Sequence, residues 1–231
     1  GRLPVVICHG WVECKEFHLH RARQLANAGH DVLLYDHRAH GRSRGLVVTF
    51  SVRERVDAVA VLDHLQGLGW INDGGIMLGH SMGASTAIHA ARADDRVAGV
   101  VAFAPFSDFS RAILSFRDKL KLPLRDRWII RGFEEACRQS GFDIQDTCTV
   151  TAAAELETPV LIIEAELDTN LPPELHSRPI LAAKQQGEAQ VFEVKGANHL
   201  NISHKNWPGV EERVVEFCKE VSEAVPEPVT A

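Results

Sequence analysis

Ser81 stands at the centre of Gly79-His80-Ser81-Met82-Gly83, a G-x-S-x-G pentapeptide between the apolar run Ile76-Met77-Leu78 and a helix-favouring stretch. That context predicts a strand, a sharp turn and a helix, with the serine at the tip of the turn. Side chains at the two glycine positions would crowd such a turn. A serine hydroxyl is a weak nucleophile at neutral pH, so it needs a base within hydrogen-bond reach, and the base needs an orienting group. His199, in Gly196-Ala197-Asn198-His199, is the candidate base, and Asp168, after the apolar Pro159-Val160-Leu161-Ile162-Ile163, is the candidate orienting acid. The chemistry these types support is acyl transfer through a covalent acyl-enzyme.

The acid has competitors. Glu164 and Glu166 lie just upstream of Asp168, and Asp108 follows the preceding strand. Asp168 is preferred because it sits in the loop itself, before Leu171-Pro172-Pro173, whereas Asp108 reads better as a helix cap. The oxyanion of acyl transfer needs two preorganised N–H donors. One is expected from Met82, the residue after the nucleophile, and the other from Trp11, which follows His9-Gly10 in the loop after the first strand. The Trp11 indole could also wall an acyl pocket. His9 and His80 read as structural.

Asp36-His37-Arg38-Ala39-His40-Gly41-Arg42-Ser43 gathers histidines and arginines, yet neither His37 with His40 nor His18 with His20 brings further ligands at a recognised metal spacing. A tight turn held by Gly41 and arginine hydrogen bonds is the better account, and no metal or cofactor is expected.

Alternating strands and helices position these residues. Strands are expected over 3–8, 31–36, 76–78, 97–104, 160–165 and 190–194, the 31–36 strand as a buried one. Helices are expected over 16–28, after Ser51 and Glu54 at capping-box spacing, after Ser81, over 175–186 and near 210–221. In the helix after Ser51, Val56, Val59, Ala60, Leu62 and Leu65 supply the apolar period. Such alternation implies one α/β domain over 1–231, a mostly parallel central sheet with helices on both faces. The alternation breaks over about 107–157, where helical pieces around 110–120 and 128–139 suggest a short helical lid. That lid is basic between Arg117 and Arg131; a solvated helical face accounts for it, and a rim drawing an anionic substrate or lipid surface is the sharper alternative. Pro226-Glu227-Pro228 is expected to trail off as a tail.

The chain of 231 residues carries a formal net charge of −6, which argues against nucleic acid as a partner. No run approaches the length of a membrane span. Five cysteines without paired spacing argue for reduced thiols and a cytoplasmic setting, although a leader upstream of Gly1 would change that.

Together, His9-Gly10, the Asp36-x-Arg38-x-x-Gly41-x-Ser43 turn, the Ser81 pentapeptide, Asp168 with Pro172 behind it, and Gly196-Ala197-Asn198-His199 resemble the α/β-hydrolase superfamily over nearly the whole chain. The order Ser, Asp, His is that of these enzymes. Leu34-Tyr35-Asp36-His37-Arg38, Phe106-Ser107-Asp108-Phe109 and the short basic lid are similar to a bacterial branch described as esterase, lysophospholipase-like or peptidase-like. The resemblance implies an eight-stranded sheet, a metal-free triad and ester-type substrates. Two departures accompany it: family members have two further strands before the one that opens this chain, and Ala84 stands where relatives often have a second glycine. The expected activity is that of a carboxylesterase on small to medium acyl esters, by Ser81, Asp168 and His199 with the N–H groups of Trp11 and Met82. Peptidase or amidase, thioesterase and lysophospholipase activities use the same triad, and a non-catalytic ligand-binding protein is the rival from another class. A monomer or a homodimer paired through an open sheet edge is expected.

Overall fold

The computed structural model describes residues 2–72, 74–121 and 123–225. The expected tail at Pro226-Glu227-Pro228 lies outside them. Among the described residues, six strands form one sheet in the order β2-β1-β3-β4-β5-β6, where β1 is Val5–Cys8, β2 Val32–Tyr35, β3 Gly75–His80, β4 Val97–Phe103, β5 Val160–Ala165 and β6 Ala189–Val194. Every pairing is parallel. The apolar runs of β1, β3 and β5 are buried along their whole length, as parallel strands covered on both faces must be.

One face of the sheet carries α2 (Glu54–Gly67), α3 (Met82–Ala93), α6 (Thr149–Ala154) and α7 (Ser177–Ala183); Leu62, Leu65, Ala87 and Ile88 pack there on Val6, Met77, Val100 and Ile162. The opposite face carries α1 (Leu19–Asn27) and α8 (Val210–Ala224), with Leu25, Val214 and Phe217 on Ile7, Leu78 and Val101. The chain leaves β1 toward β2 and then returns to the other side of β1 for β3. The β1/β3 junction is therefore the point where strand order reverses, and open α/β sheets bind ligands beyond the carboxyl ends of their strands at such points.

Four expectations are corrected. The 31–36 strand is half-buried rather than buried, because β2 is an edge strand among the described residues. In α2 the inward residues are Glu54, Ala58, Leu62 and Leu65, while Val56 and Ala60 face outward. Only the Glu54 half of the capping box forms: its carboxylate accepts from the N–H groups of Thr49 and Ser51. The helix expected over 175–186 is the shorter α7.

Between β4 and β5 the chain builds α4 (Phe109–Lys119) and α5 (Asp126–Gln139), the segment expected as a lid. Their apolar faces, through Phe109, Ile113 and Ile129, join Phe106 and Met82 in a third cluster that sits over the start of α3. Arg117 clips the two helices together by donating to the Leu124 carbonyl and pairing with Asp126, each at 2.8 Å. Lys121, Arg125, Arg127 and Arg131 are exposed.

Candidate active site

The turn expected at Ser81 is present. Ser81 adopts φ 52°, ψ −113°, a left-handed conformation that costs a non-glycine residue about 1–3 kcal/mol and persists only where its surroundings impose it. The imposition comes from packing. A Cβ on Gly79 would fall 2.2 Å from the Gly83 carbonyl, and one on Gly83 would fall 2.1 Å from the Cys8 oxygen. Both glycines are needed for close backbone approach, and the second brings the start of α3 against the end of β1.

Ser81 Oγ lies 3.0 Å from His199 Nε2, and His199 Nδ1 lies 2.7 Å from Asp168 Oδ2. With the Nδ1 proton donated to the carboxylate, Nε2 is free to accept from the serine hydroxyl. Asp168 is itself held: its Oδ1 accepts from the N–H groups of Asn170 at 2.9 Å and Leu171 at 2.8 Å, an Asx-type turn that aims Oδ2 at the imidazole. His199 and Asp168 are buried. Burial lowers the pKa of His199, and its hydrogen bond to Asp168 opposes this without cancelling it.

The rival acids are engaged elsewhere. Glu164 accepts from Ser177 Oγ at 2.5 Å, Glu166 accepts from the Gly196 N–H at 2.8 Å, and Asp108 caps α4 by accepting from the Arg111 N–H at 2.9 Å. The 36–43 segment is the expected turn: Asp36 accepts from the N–H groups of Lys15 and Arg42, and Arg38 forms a two-bond pair with Asp57. Gly41, at φ +51°, is required because a Cβ there would meet the Asp36 carboxylate at 2.3 Å.

That turn also shapes the loop after β1. His9 Nε2 accepts from the His37 N–H at 2.9 Å, and His40 Nε2 accepts from the Val12 N–H at 3.2 Å. Gly10 and Glu13 donate their N–H groups within the loop. The Trp11 N–H has no protein acceptor among the described residues, and neither does that of Met82, which opens α3 ahead of any helical partner. These are the two donors expected for an oxyanion.

Trp11 also borders a cavity of about 750 Å³ roofed by α4 and α5 and walled by Phe50, Phe109, Phe116, Trp128 and Phe133. Among the described residues its lining carries Arg117 and no carboxylate. A smaller cavity of about 260 Å³ lies on the His199 side, lined by Lys119, Asn170 and Asn198. Sequence reasoning missed the aromatic wall, whose residues come from three separated segments. It also missed Glu13 and His204, which lie beside His80; a carboxylate three residues after Gly10 was the available signal for the first.

Residues 2–131 match the model of the serine aminopeptidase S33 family. The chain belongs to that family. This S33 α/β-hydrolase is 26% identical over 225 residues to the uncharacterized protein YqkD of Bacillus subtilis, the match covering 95% of this chain and 72% of YqkD. It shares its fold with the Pyrococcus furiosus esterase Pf2001, at a TM-score of 0.76 and 20% identity over 95% of this chain and 83% of the other. The Paleococcus ferrophilus monoacylglycerol lipase superposes with a TM-score of 0.68 and 21% identity over 96% of this chain and 97% of the lipase. The S33 α/β-hydrolase is thus a hydrolase by family, and among its described residues no helix is long and apolar enough to cross a membrane.

Proposed function

We propose that this chain is one catalytic domain, a carboxylesterase of small to medium acyl esters, with the α4–α5 insertion as its lid. The observation that carries the reading is the continuous hydrogen-bonded line from Ser81 Oγ through His199 to Asp168, with its 3.0 and 2.7 Å links. Ser81 attacks the ester carbonyl as His199 Nε2 takes its proton, and the N–H groups of Trp11 and Met82 receive the oxyanion. His199 then returns the proton to the leaving alcohol, and Asp168 compensates the imidazolium. Water activated by His199 releases the acid from the acyl-enzyme.

The apolar cavity beside Trp11 supports an aliphatic or aromatic acyl group in that position. The family description favours a second reading, an aminopeptidase. A free α-ammonium needs a carboxylate partner when it is desolvated, and the cavity lining supplies none. Esters are therefore preferred over N-terminal peptides.

The test is turnover of p-nitrophenyl esters from acetate to palmitate and of aminoacyl p-nitroanilides, with a fluorophosphonate probe followed by intact mass. Ester turnover and one covalent adduct, both lost in Ser81→Ala, are expected. A folded protein that takes no adduct and turns over no ester would move the weight to ligand binding.

A further inference from the structure

The part-buried carboxylate of Glu13, its side chain 10% exposed, has no place in the acyl chemistry, yet it is the most heavily partnered side chain near it. Its Oε2 accepts from the Gly10 N–H at 2.6 Å and faces His18 Nε2 at 3.1 Å. Its Oε1 faces His80 Nδ1 at 2.9 Å and His204 Nε2 at 3.2 Å. Burial alone would raise the Glu13 pKa, but the attraction of His80 and the hydrogen bonds from His18, His204 and His80 outweigh it and hold the carboxyl well below the usual carboxylate range. The group is an anion enclosed by donors.

Those partners come from distinct parts of the chain. Gly10 precedes Trp11 in the loop after β1, His80 is the neighbour of Ser81, and His204 follows His199 in the same turn-rich segment. His80 extends the link: its Nε2 donates to the backbone carbonyl of His199 at 3.0 Å, and the two rings are 5.1 Å apart. Acceptors face both of its nitrogens, the Glu13 carboxylate at Nδ1 and the His199 carbonyl at Nε2. A cut at Glu13 would free the Gly10 side of the oxyanion loop and the His199 backbone together.

We propose that Glu13 is a positioning residue, a single anion that through Gly10 and His80 sets the Trp11 N–H and the His199 imidazole relative to Ser81. The assignment rests on the serine hydrolase reading above. Such a residue acts on the geometry of the reacting groups and leaves the acyl cavity alone, so its loss falls on kcat more than on KM.

The experiment compares the wild type, Ser81→Ala, Glu13→Ala and Glu13→Gln on p-nitrophenyl butyrate, with circular dichroism melts of each. In Glu13→Ala, kcat is expected to fall by about ten- to a hundredfold with KM within about twofold, since ångström-scale misplacement costs that much. Glu13→Gln is expected to recover most of the loss, because its amide oxygen can still accept from Gly10 and its amide nitrogen can donate to the histidines. A folded Glu13→Ala with wild-type kcat, or a loss confined to KM or to melting temperature, overturns the assignment. Should Glu13→Ala not fold, His80→Asn keeps a donor toward Glu13 but cannot reach the His199 carbonyl, and wild-type kcat in that variant overturns it equally. A wild type that neither turns over esters nor takes the fluorophosphonate brings down the hydrolase reading and this assignment together; an active wild type beside an equally active Glu13→Ala removes only the latter.

Discussion

The first turn of α3 rests on the end of β1 so closely that a methyl group on Gly83 would sit 2.1 Å from the carbonyl oxygen of Cys8. The obstacle is backbone on both sides, since the Cys8 carbonyl carbon and the His9 oxygen follow at 2.6 Å, so no side chain can swing aside. Gly83→Ala is expected to displace α3 and with it the Met82 N–H and Ser81. A stability loss of about 3 kcal/mol or more, in the range of severe backbone and overpacking changes, should appear in urea titration. Residual esterase activity should be low even in the folded fraction.

In the proposed mechanism Asp168 orients His199 without exchanging protons with substrate. Asp168→Asn preserves shape but turns an amide toward Nδ1, which favours the wrong imidazole tautomer. The expected result is a fall in kcat of about 10³- to 10⁴-fold with little change in KM or melting temperature. Retained activity would return attention to Glu164 or Glu166 as the acid.

Because the folded-state pKa of His199 lies below its ordinary value of 6.5, the imidazole stays neutral and able to accept the serine proton in mild acid. The acid limb of kcat/KM, which reports the free enzyme, should therefore have its midpoint below pH 6.5. A pH–rate profile of p-nitrophenyl acetate hydrolysis checks this, and a midpoint above 6.5 contradicts it.

Stability should weaken over a neighbouring range. Burial holds His9, His89 and His176 at about 4 in the folded chain, against 6.5 for an exposed imidazole. Between those values the unfolded chain binds protons that the folded chain refuses, so stability is full above pH 6.5 and declines as pH falls toward 4. Each histidine contributes a slope of up to about 1.4 kcal/mol per pH unit. Urea midpoints at pH 7.5, 6.0 and 5.0 should fall in that order; a constant midpoint contradicts the account.

Phe116 lines the apolar cavity and lies edge-on to Trp11 with ring centroids 6.4 Å apart. Phe116→Ala should reduce kcat/KM for octanoyl and aryl esters by about tenfold, the worth of one to two methylene-sized contacts, while acetate changes little. Equal effects on acetate and octanoate would place the acyl group elsewhere.

The sequence by itself determined the α/β alternation, the turn at Ser81 and the candidates Asp168 and His199, because these depend on local signals. Apolar runs must become buried strands, and only glycine admits the backbone approaches at residues 79 and 83. The half-buried β2 and the outward Val56 and Ala60 were less legible, since burial there depends on what lies beside them. Only the tertiary structure gave the four carboxylates their partners, Glu164 with Ser177, Glu166 with Gly196, Asp108 with Arg111 and Asp168 with His199. It alone assembled the aromatic cavity and the Glu13 cluster, whose members run from Gly10 to His204 in the chain. Hydrogen bonds and ring contacts across such separations leave no periodic trace in a sequence, and they exist only once the sheet has brought its loops to one end.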